Sequence, residues 1–321
     1  MNAVSKIEPL RPEYLESEPV LVENVFDDPD KILSIVKANA PYRTVAAYHG
    51  DLAEGSDTAG WFRKRFDDEL FLNNPRWIAA AKRAFSAEIV RPYFCALNVN
   101  VPGPAGICHT DLPTFRGLTV DQTPFWFLAC MGLSRLFQPW MVPFAAGLVW
   151  FYRGANGSFE YWLNGTDEPP SAIQSPIWNT GLMSDNLVMY HRIGAVGSEE
   201  DQARYRGVFQ NSDVIHYTDQ DRWDVYNGDT LKASLTPDQV RISFLWGAQV
   251  FRDEAHLASF EDPTLNLTVD QVVDMFHEDL RAKGVILSKP TNPFEDVEWR
   301  RVIESNYRPP FDPGVQVTKR R

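Results

Sequence analysis

YFCALNVNVPGPAGICHTD, residues 93–111, is the stretch from which the fold is read. Tyr93 to Val101 is rich in aromatic and β-branched side chains, a strand pattern, and Pro102-Gly103-Pro104 ends it. After this Pro/Gly turn, Ile107-Cys108-His109-Thr110-Asp111 reads as extended chain. Residues two apart in an extended chain share a face, so His109 and Asp111 point together while Thr110 points away. An imidazole and a carboxylate side by side are two thirds of a facial triad, a ligand set that leaves positions open on a ferrous ion. Taken alone, His-X-Asp is more often a polar pair at a strand end. Whether it is more depends on a third ligand elsewhere in the chain.

Downstream the strand grammar repeats. Gly147 to Tyr152, Gly157 to Leu163, Ala172 to Trp178 and Leu187 to Ile193 are short β-type runs. Gly154-Ala155-Asn156-Gly157, Asn164-Gly165 and Asn179-Thr180-Gly181 separate them, and Gln239 to Phe251 returns to strand. Short strands at regular spacing predict a sandwich or jelly roll rather than alternating β and α units. Helices are expected where a cap and a proline precede an apolar stripe. Asp28-Pro29 opens one before Ile32, Leu33, Ile35 and Val36, and Asn74-Pro75 opens another before Trp77, Ile78, Ala81 and Phe85. Thr268-Val269-Asp270-Gln271 is a capping box for a third, which Gly284 ends.

The reading is of one domain over 1–321, mainly β with flanking helices. It comprises a helical and irregular flank (1–89), a jelly-roll, cupin-like core (90–251) and a C-terminal helix with a peripheral tail from Lys289 (252–321). Two inserts are expected, an apolar one at about 114–144 and a polar insert or lid at 198–238.

Net charge is −12, which argues against nucleic acid and anionic membranes as partners. An anionic small molecule must then be held by a local cation, because the global field repels it. Cys95, Cys108 and Cys130 form no Cys-X-X-Cys and read as reduced cytoplasmic thiols. Alternation turns Cys108 away from His109, so it reads as packing rather than as a thiolate ligand. Met1 to Leu10 lacks the apolar run of a signal peptide. Phe125 to Tyr152 is interrupted by Arg135, Gln138, Pro139 and Pro143, and does not read as a membrane span.

Of the remaining histidines, His191 is the best third ligand, because Leu187-Val188-Met189-Tyr190-His191 is apolar and β-like. The other reading makes it a core histidine bonded to a backbone carbonyl. His216, in the polar setting of Asn211-Ser212-Asp213, is its rival; His49, His256 and His277 lie in the flanks. In Arg241-Ile242-Ser243, Arg241 and Ser243 share a strand face. An arginine in an apolar strand needs an anionic partner, either an internal carboxylate or a bound one. Arg192, beside His191, competes for that role. Asn98 and Asn100 share a face and read as ligand contacts or as turn-proximal structural residues. Arg116 is a candidate for a substrate carboxylate or a surface residue.

In their order, His109-X-Asp111, distal His191 and later Arg241-X-Ser243 resemble the Fe(II)- and 2-oxoglutarate-dependent dioxygenases. The resemblance covers about Tyr93 to Phe251. It implies a double-stranded β-helix with His109, Asp111 and His191 holding Fe(II), and Arg241 with Ser243 seating the distal carboxylate of 2-oxoglutarate. It further implies O2-dependent hydroxylation, desaturation or ring closure of an unactivated C–H bond in a small molecule, with release of succinate and CO2. Related halogenases carry a small residue where this chain has Asp111, and a carboxylate there disfavours halogenation. One departure is the gap: fifty residues separate Arg241 from His191, against about ten in many members. Choosing His216 still leaves twenty-five. Two other classes stay open: a cupin-like metalloenzyme without 2-oxoglutarate, and a metal-free β-sandwich binding module. The oligomeric state is not legible.

Overall fold

Prolines and polar turns cut the sequence into short extended runs. In the computed structural model, which describes residues 14–49, 58–66 and 68–307, those runs build two antiparallel sheets. The strands are β1 (Val20–Glu23), β2 (Tyr42–Thr44), β3 (Trp61–Arg65), β4 (Ile89–Asn100), β5 (Phe144–Tyr152), β6 (Phe159–Trp162) and β7 (Ser171–Ile173). They continue with β8 (Ile177–Ser184), β9 (Tyr190–Ile193), β10 (Val214–Thr218), β11 (Arg222–Asn227), β12 (Thr230–Leu235) and β13 (Arg241–Phe251). The α-helices are α1 (Pro29–Ala38), α2 (Val45–His49), α3 (Glu69–Leu72), α4 (Pro75–Phe85), α5 (Phe125–Ser134), α6 (Glu199–Arg204), α7 (Glu254–Glu261), α8 (Val269–Ala282) and α9 (Val297–Tyr307).

The large sheet runs β1-β8-β5-β13-β4-β3-β2-β10-β11-β12, and the small one β7-β6-β9. Along the chain the strands alternate between them. β4 is in the large sheet, His109 bridges to the small one, and β5 is large; β6 and β7 are small, β8 large, β9 small and β13 large. That alternation is the winding of a double-stranded β-helix, as expected from the strand spacing.

The described residues divide into two compact units: Ser17–His109 with Phe144–Phe251, and Thr110–Pro143 with residues 14–16 and 252–307. In the sheet unit each face of the large sheet has its own cover. Phe244 and Trp246 alternate to one side, where Phe244 stacks on Phe71 at 4.9 Å and Trp246 on Trp77 at 6.2 Å. The caps expected at Asp28 and Asn74 are formed: Asp28 accepts from the Lys31 amide, and Asn74 from those of Arg76 and Trp77. On the other side Trp150 meets Phe159 of the small sheet at 5.0 Å, in a cluster with Ile177, Leu182 and Met189. Burying each such side chain contributes about 1.5–3 kcal/mol.

In the other unit α5 packs on α9. Trp126 meets Trp299 at 6.1 Å, and Phe276 of α8 lies 4.9 Å from Phe137. The capping box at Thr268 and Gln271 is present.

Four expectations change. Residues 198–238, expected as an insert or lid, form α6 and the meander β10–β12, which prolongs the large sheet beyond β2. Their buried faces, Ile215, Trp223, Val225 and Leu235, are separated by so many polar residues that the run looks solvated in sequence. The tail expected as peripheral contains α9, whose Trp299, Ile303 and Tyr307 are buried at helical spacing. Ala172 to Trp178 is two strands, β7 and β8, in different sheets. Asn179-Thr180-Gly181 is a bulge inside β8 rather than a turn: Trp150 pairs with Thr180 and Phe151 with Trp178, so Asn179 bows out at φ +52°. Its amide is used on both sides, accepting from the Phe26 amide at 2.9 Å and donating to the Phe26 carbonyl at 2.7 Å. Met1 to Leu10 and the end of the tail, 308–321, lie outside the described residues. Among the described residues no helix is long and apolar enough to cross a membrane.

Candidate metal centre

β9 pairs with β6 so that His191 stands opposite Tyr161, Ile193 opposite Phe159 and Arg192 opposite Glu160. Opposed residues share a face in an antiparallel pair. His191 therefore looks inward with Phe159, whose ring is 5.7 Å from it. Arg192 looks outward, where its Nε donates to Glu160 at 2.6 Å and its guanidinium covers Trp162. This ion pair removes Arg192 as a competitor for an anion at the inner face.

His109 joins the small sheet at a single point rather than along a strand. Its amide donates to the His191 carbonyl at 3.0 Å, and the His191 amide donates back at 2.8 Å. The prolines and glycines before it break the pairing into scattered points: Gly103 bridges to Val196 and the Gly106 amide donates to the Ile193 carbonyl at 2.9 Å. Mutual bonding sets the two residues face to face, with ring centroids 4.5 Å apart. Each ring is also oriented by its own chain. Nδ1 of His109 lies 2.8 Å from the Ile107 carbonyl and Nδ1 of His191 3.1 Å from that of Met189. A carbonyl only accepts, so each Nδ1 is the donor and each Nε2 is the nitrogen that could meet a metal. Asp111 follows two residues on, and ligand atoms of His109, Asp111 and His191 all lie within 4.8 Å of one another. His191 is buried, while His109 and Asp111 are half-buried. Two imidazoles and one carboxylate suit a borderline divalent ion with open positions.

Burial pushes the Cys108 thiol up to about 11, with Arg192 and Glu160 as its nearest charges. It sits on the outward face as a thiol, not as a ligand. His216, the rival ligand, lies on β10 against Tyr226. β10 is four strands from β13 in the large sheet, and His216 is not in the ligand group.

Arg241 begins β13 opposite Asn100 of β4, and Ser243 stands opposite Asn98 of β4 and Trp150 of β5. All share the inward face. Arg241 is completely buried, and its Nε donates to the Gly157 carbonyl at 2.8 Å. Among the described residues its Nη1 and Nη2 have no hydrogen-bond partner, nor has Oδ1 of neighbouring Asn100. The alternative of an internal salt bridge is therefore not realised among the described residues. Burial pushes the guanidinium down to about 9, still cationic at neutral pH. Two charged donors left bare in an apolar wall are costly unless an oxyanion meets them.

The asparagines differ. Asn98 is not a turn residue; its Oδ1 accepts from Nε1 of Trp61 at 3.1 Å and Nε of Arg63 at 2.8 Å. Arg116 belongs to the helical unit, where its Nη1 donates to the Ser259 carbonyl at 2.6 Å and its charge lies over Phe260. That engagement is structural. Sequence reasoning passed over Trp61 and Arg63 on β3, although WFRKR alternates visibly.

No family model matches the chain, and no curated protein matches it. Solved structures do. An oxidoreductase of the 2OG-Fe(II) oxygenase family from Burkholderia pseudomallei aligns with 11% identity over 72% of this chain and 85% of its own, at a TM-score of 0.40. HygX from Streptomyces hygroscopicus with nickel, 2-oxoglutarate and hygromycin B bound aligns with 10% identity over 75% and 88%, at 0.39. A Pseudomonas putida prolyl-4-hydroxylase aligns with 10% identity over 74% and 94%, at 0.37. The chain is similar in outline to solved 2OG-Fe(II) oxygenases.

Proposed function

We propose that this chain is a non-heme Fe(II)- and 2-oxoglutarate-dependent dioxygenase that hydroxylates, desaturates or cyclises a small molecule. The observation that carries the reading is the pairing of a His109–Asp111–His191 ligand group with a buried, unmet guanidinium fork at Arg241 on the same inward face. A metal-free binding module accounts for neither feature. A cupin-like enzyme without the cosubstrate leaves Nη1 and Nη2 of Arg241 unexplained.

In this reading His109 and His191 offer Nε2, each held by its Nδ1–H bond to a backbone carbonyl, and Asp111 offers a carboxylate. Fe(II) and 2-oxoglutarate, held there, would supply O2-dependent oxidation of a substrate C–H bond coupled to conversion of the cosubstrate to succinate and CO2. Arg241 receives the distal carboxylate through its two Nη groups. Ser243 and Asn100, on the same face, complete the seat with a hydroxyl and an amide. Nε of Arg241 holds the fork in plane through Gly157, so the seat is built before the diacid arrives. Trp150, 5.9 Å from the Arg241 guanidinium, and Phe159, 5.7 Å from the His191 ring, place aromatic surface beside both seat and ligands.

The test is succinate formation by the full chain reconstituted with Fe(II) in the absence of air and then exposed to O2. Slow 2-oxoglutarate-dependent succinate release is expected, absent in Asp111→Ala and strongly reduced in Arg241→Met. Succinate release by neither the wild-type chain nor a substrate-supplemented mixture would refute the proposal.

A further inference from the structure

The inner face of β6 changes character with distance from the cosubstrate seat. Gly157, whose carbonyl holds Nε of Arg241, lies at the seat just before the strand. Phe159 follows at 2% exposure, and then Tyr161, directly opposite His191 and half-buried. Leu163, just past the strand end, is 56% exposed. At about 3.3 Å per residue, Tyr161 stands about 13 Å along the chain from Gly157. With the cosubstrate between Arg241 and the metal ligands, the side left for a substrate is the Tyr161 end, where the strand emerges.

The large sheet makes the same change. Ser243 stands between Trp150 and Asn98, whereas two residues further along the strands the row is Leu182, Leu148, Leu245 and Ala96. Arg65, the charge nearest this row in register, lies beyond Ala96, where it is exposed over Phe94. Leu148 and Tyr161 pack on the same cluster around Trp150, Phe159 and Leu182, and both keep open surface. A charged group lodged against such a wall loses water without gaining a partner, and a net charge of −12 adds repulsion for an anion. A hydrocarbon surface is favoured there instead. One polar atom stands in this setting. The hydroxyls of Tyr42 and Tyr152 donate to the carbonyls of Val36 and Ala155, but that of Tyr161 bonds none of the described residues. Its ring is held by stacking on Phe159 at 6.1 Å, so the side chain is placed while its hydroxyl stays available.

Resting on the function proposed above, we propose that Tyr161 is a specificity-determining contact for a neutral, hydrocarbon-rich substrate. Its hydroxyl hydrogen-bonds a polar substituent of that molecule, while the carbon skeleton lies against Leu148 and the row beside it. Tyr161 is the cross-strand neighbour of His191, so this contact sets the C–H bonds of the substrate next to the metal ligands.

The probes are 4-fluoroacetophenone, 4-fluoroethylbenzene and 4-fluorobenzoate, titrated by fluorine NMR into the full chain holding Zn(II) and saturating 2-oxoglutarate. Wild type is expected to bind the ketone best, the ethyl compound about two- to tenfold more weakly for want of one hydrogen bond, and the carboxylate weakest. Tyr161→Phe, which removes only the hydroxyl, should lower ketone affinity to that of the ethyl compound and leave the ethyl compound unchanged. Leu148→Ala should weaken both neutral probes alike. Replacing Zn(II) by Mn(II) should broaden the bound ketone signal, which reads nearness to the metal rather than turnover. Ketone binding unchanged in Tyr161→Phe, carboxylate bound as tightly as ketone, or no neutral probe bound by wild type would overturn the proposal. A thermal shift with 2-oxoglutarate separates the two readings. A normal shift without probe binding counts against Tyr161 alone, and Tyr161-dependent probe binding without that shift counts against the cosubstrate alone.

Discussion

Replacing Arg241 by Met should move stability and ligand binding in opposite senses. In the ligand-free protein the substitution removes one hydrogen bond, from Nε to Gly157, a loss of about 0.5–1.5 kcal/mol. It also removes two buried, unpartnered charged donors, each worth about 1–3 kcal/mol of unpaid desolvation. The ligand-free variant should therefore melt at or above the wild-type temperature, although a completely buried residue has been changed. With 2-oxoglutarate the balance reverses. Two charge-assisted bonds at about 1.5–3 kcal/mol each are lost, which at about 1.4 kcal/mol per decade weakens binding roughly 100- to 10,000-fold. Thermal melts with Mn(II), with and without 2-oxoglutarate, read both effects in one plate. A ligand-free variant that melts well below wild type while keeping its 2-oxoglutarate shift would show that Arg241 is an ordinary structural cation.

Loss of bound iron should follow His191→Ala but not His216→Ala, measured as iron per chain after desalting; the reverse pattern would exchange the two residues. Gly181→Ala should destabilise by about 1–3 kcal/mol in urea unfolding, because its new Cβ would come 2.4 Å from Trp77 and 2.6 Å from the Leu148 carbonyl. An unchanged midpoint would mean that β8 and α4 are less tightly apposed. Cys108, whose thiol ionises only at about 11, should react slowly with iodoacetamide at pH 8 and about tenfold faster per pH unit as the thiolate fraction rises. Rapid, pH-independent labelling would place that thiol in a different setting.

What the sequence disclosed was local. Caps at Asp28, Asn74 and Thr268 are written in neighbouring residues and formed as expected. Two-residue alternation was enough to pair His109 with Asp111 and Arg241 with Ser243, whereas Arg192 stayed a competitor until the β6–β9 register turned it outward to Glu160. What it hid depends on which strands become neighbours. The fifty-residue gap before Arg241 is filled by α6 and the β10–β12 meander, and β10 pairs with β2 from the far end of the chain. A separate pairing, of β2 with β3, brings Arg43 beside Arg63, which no local pattern reveals. Asn179 was misread because a bulge and a turn use the same residue types.

Anaerobic titration of the purified chain with Fe(II) and then 2-oxoglutarate, followed in the visible spectrum, tests the ligand group most directly. A weak metal-to-ligand charge-transfer band should grow to saturation in the wild type, fail to appear in Asp111→Ala, and require far more 2-oxoglutarate in Arg241→Met. Iron bound without the band, or no iron bound by the wild type, would contradict the assignment of His109, Asp111 and His191 to a 2-oxoglutarate-dependent ferrous centre.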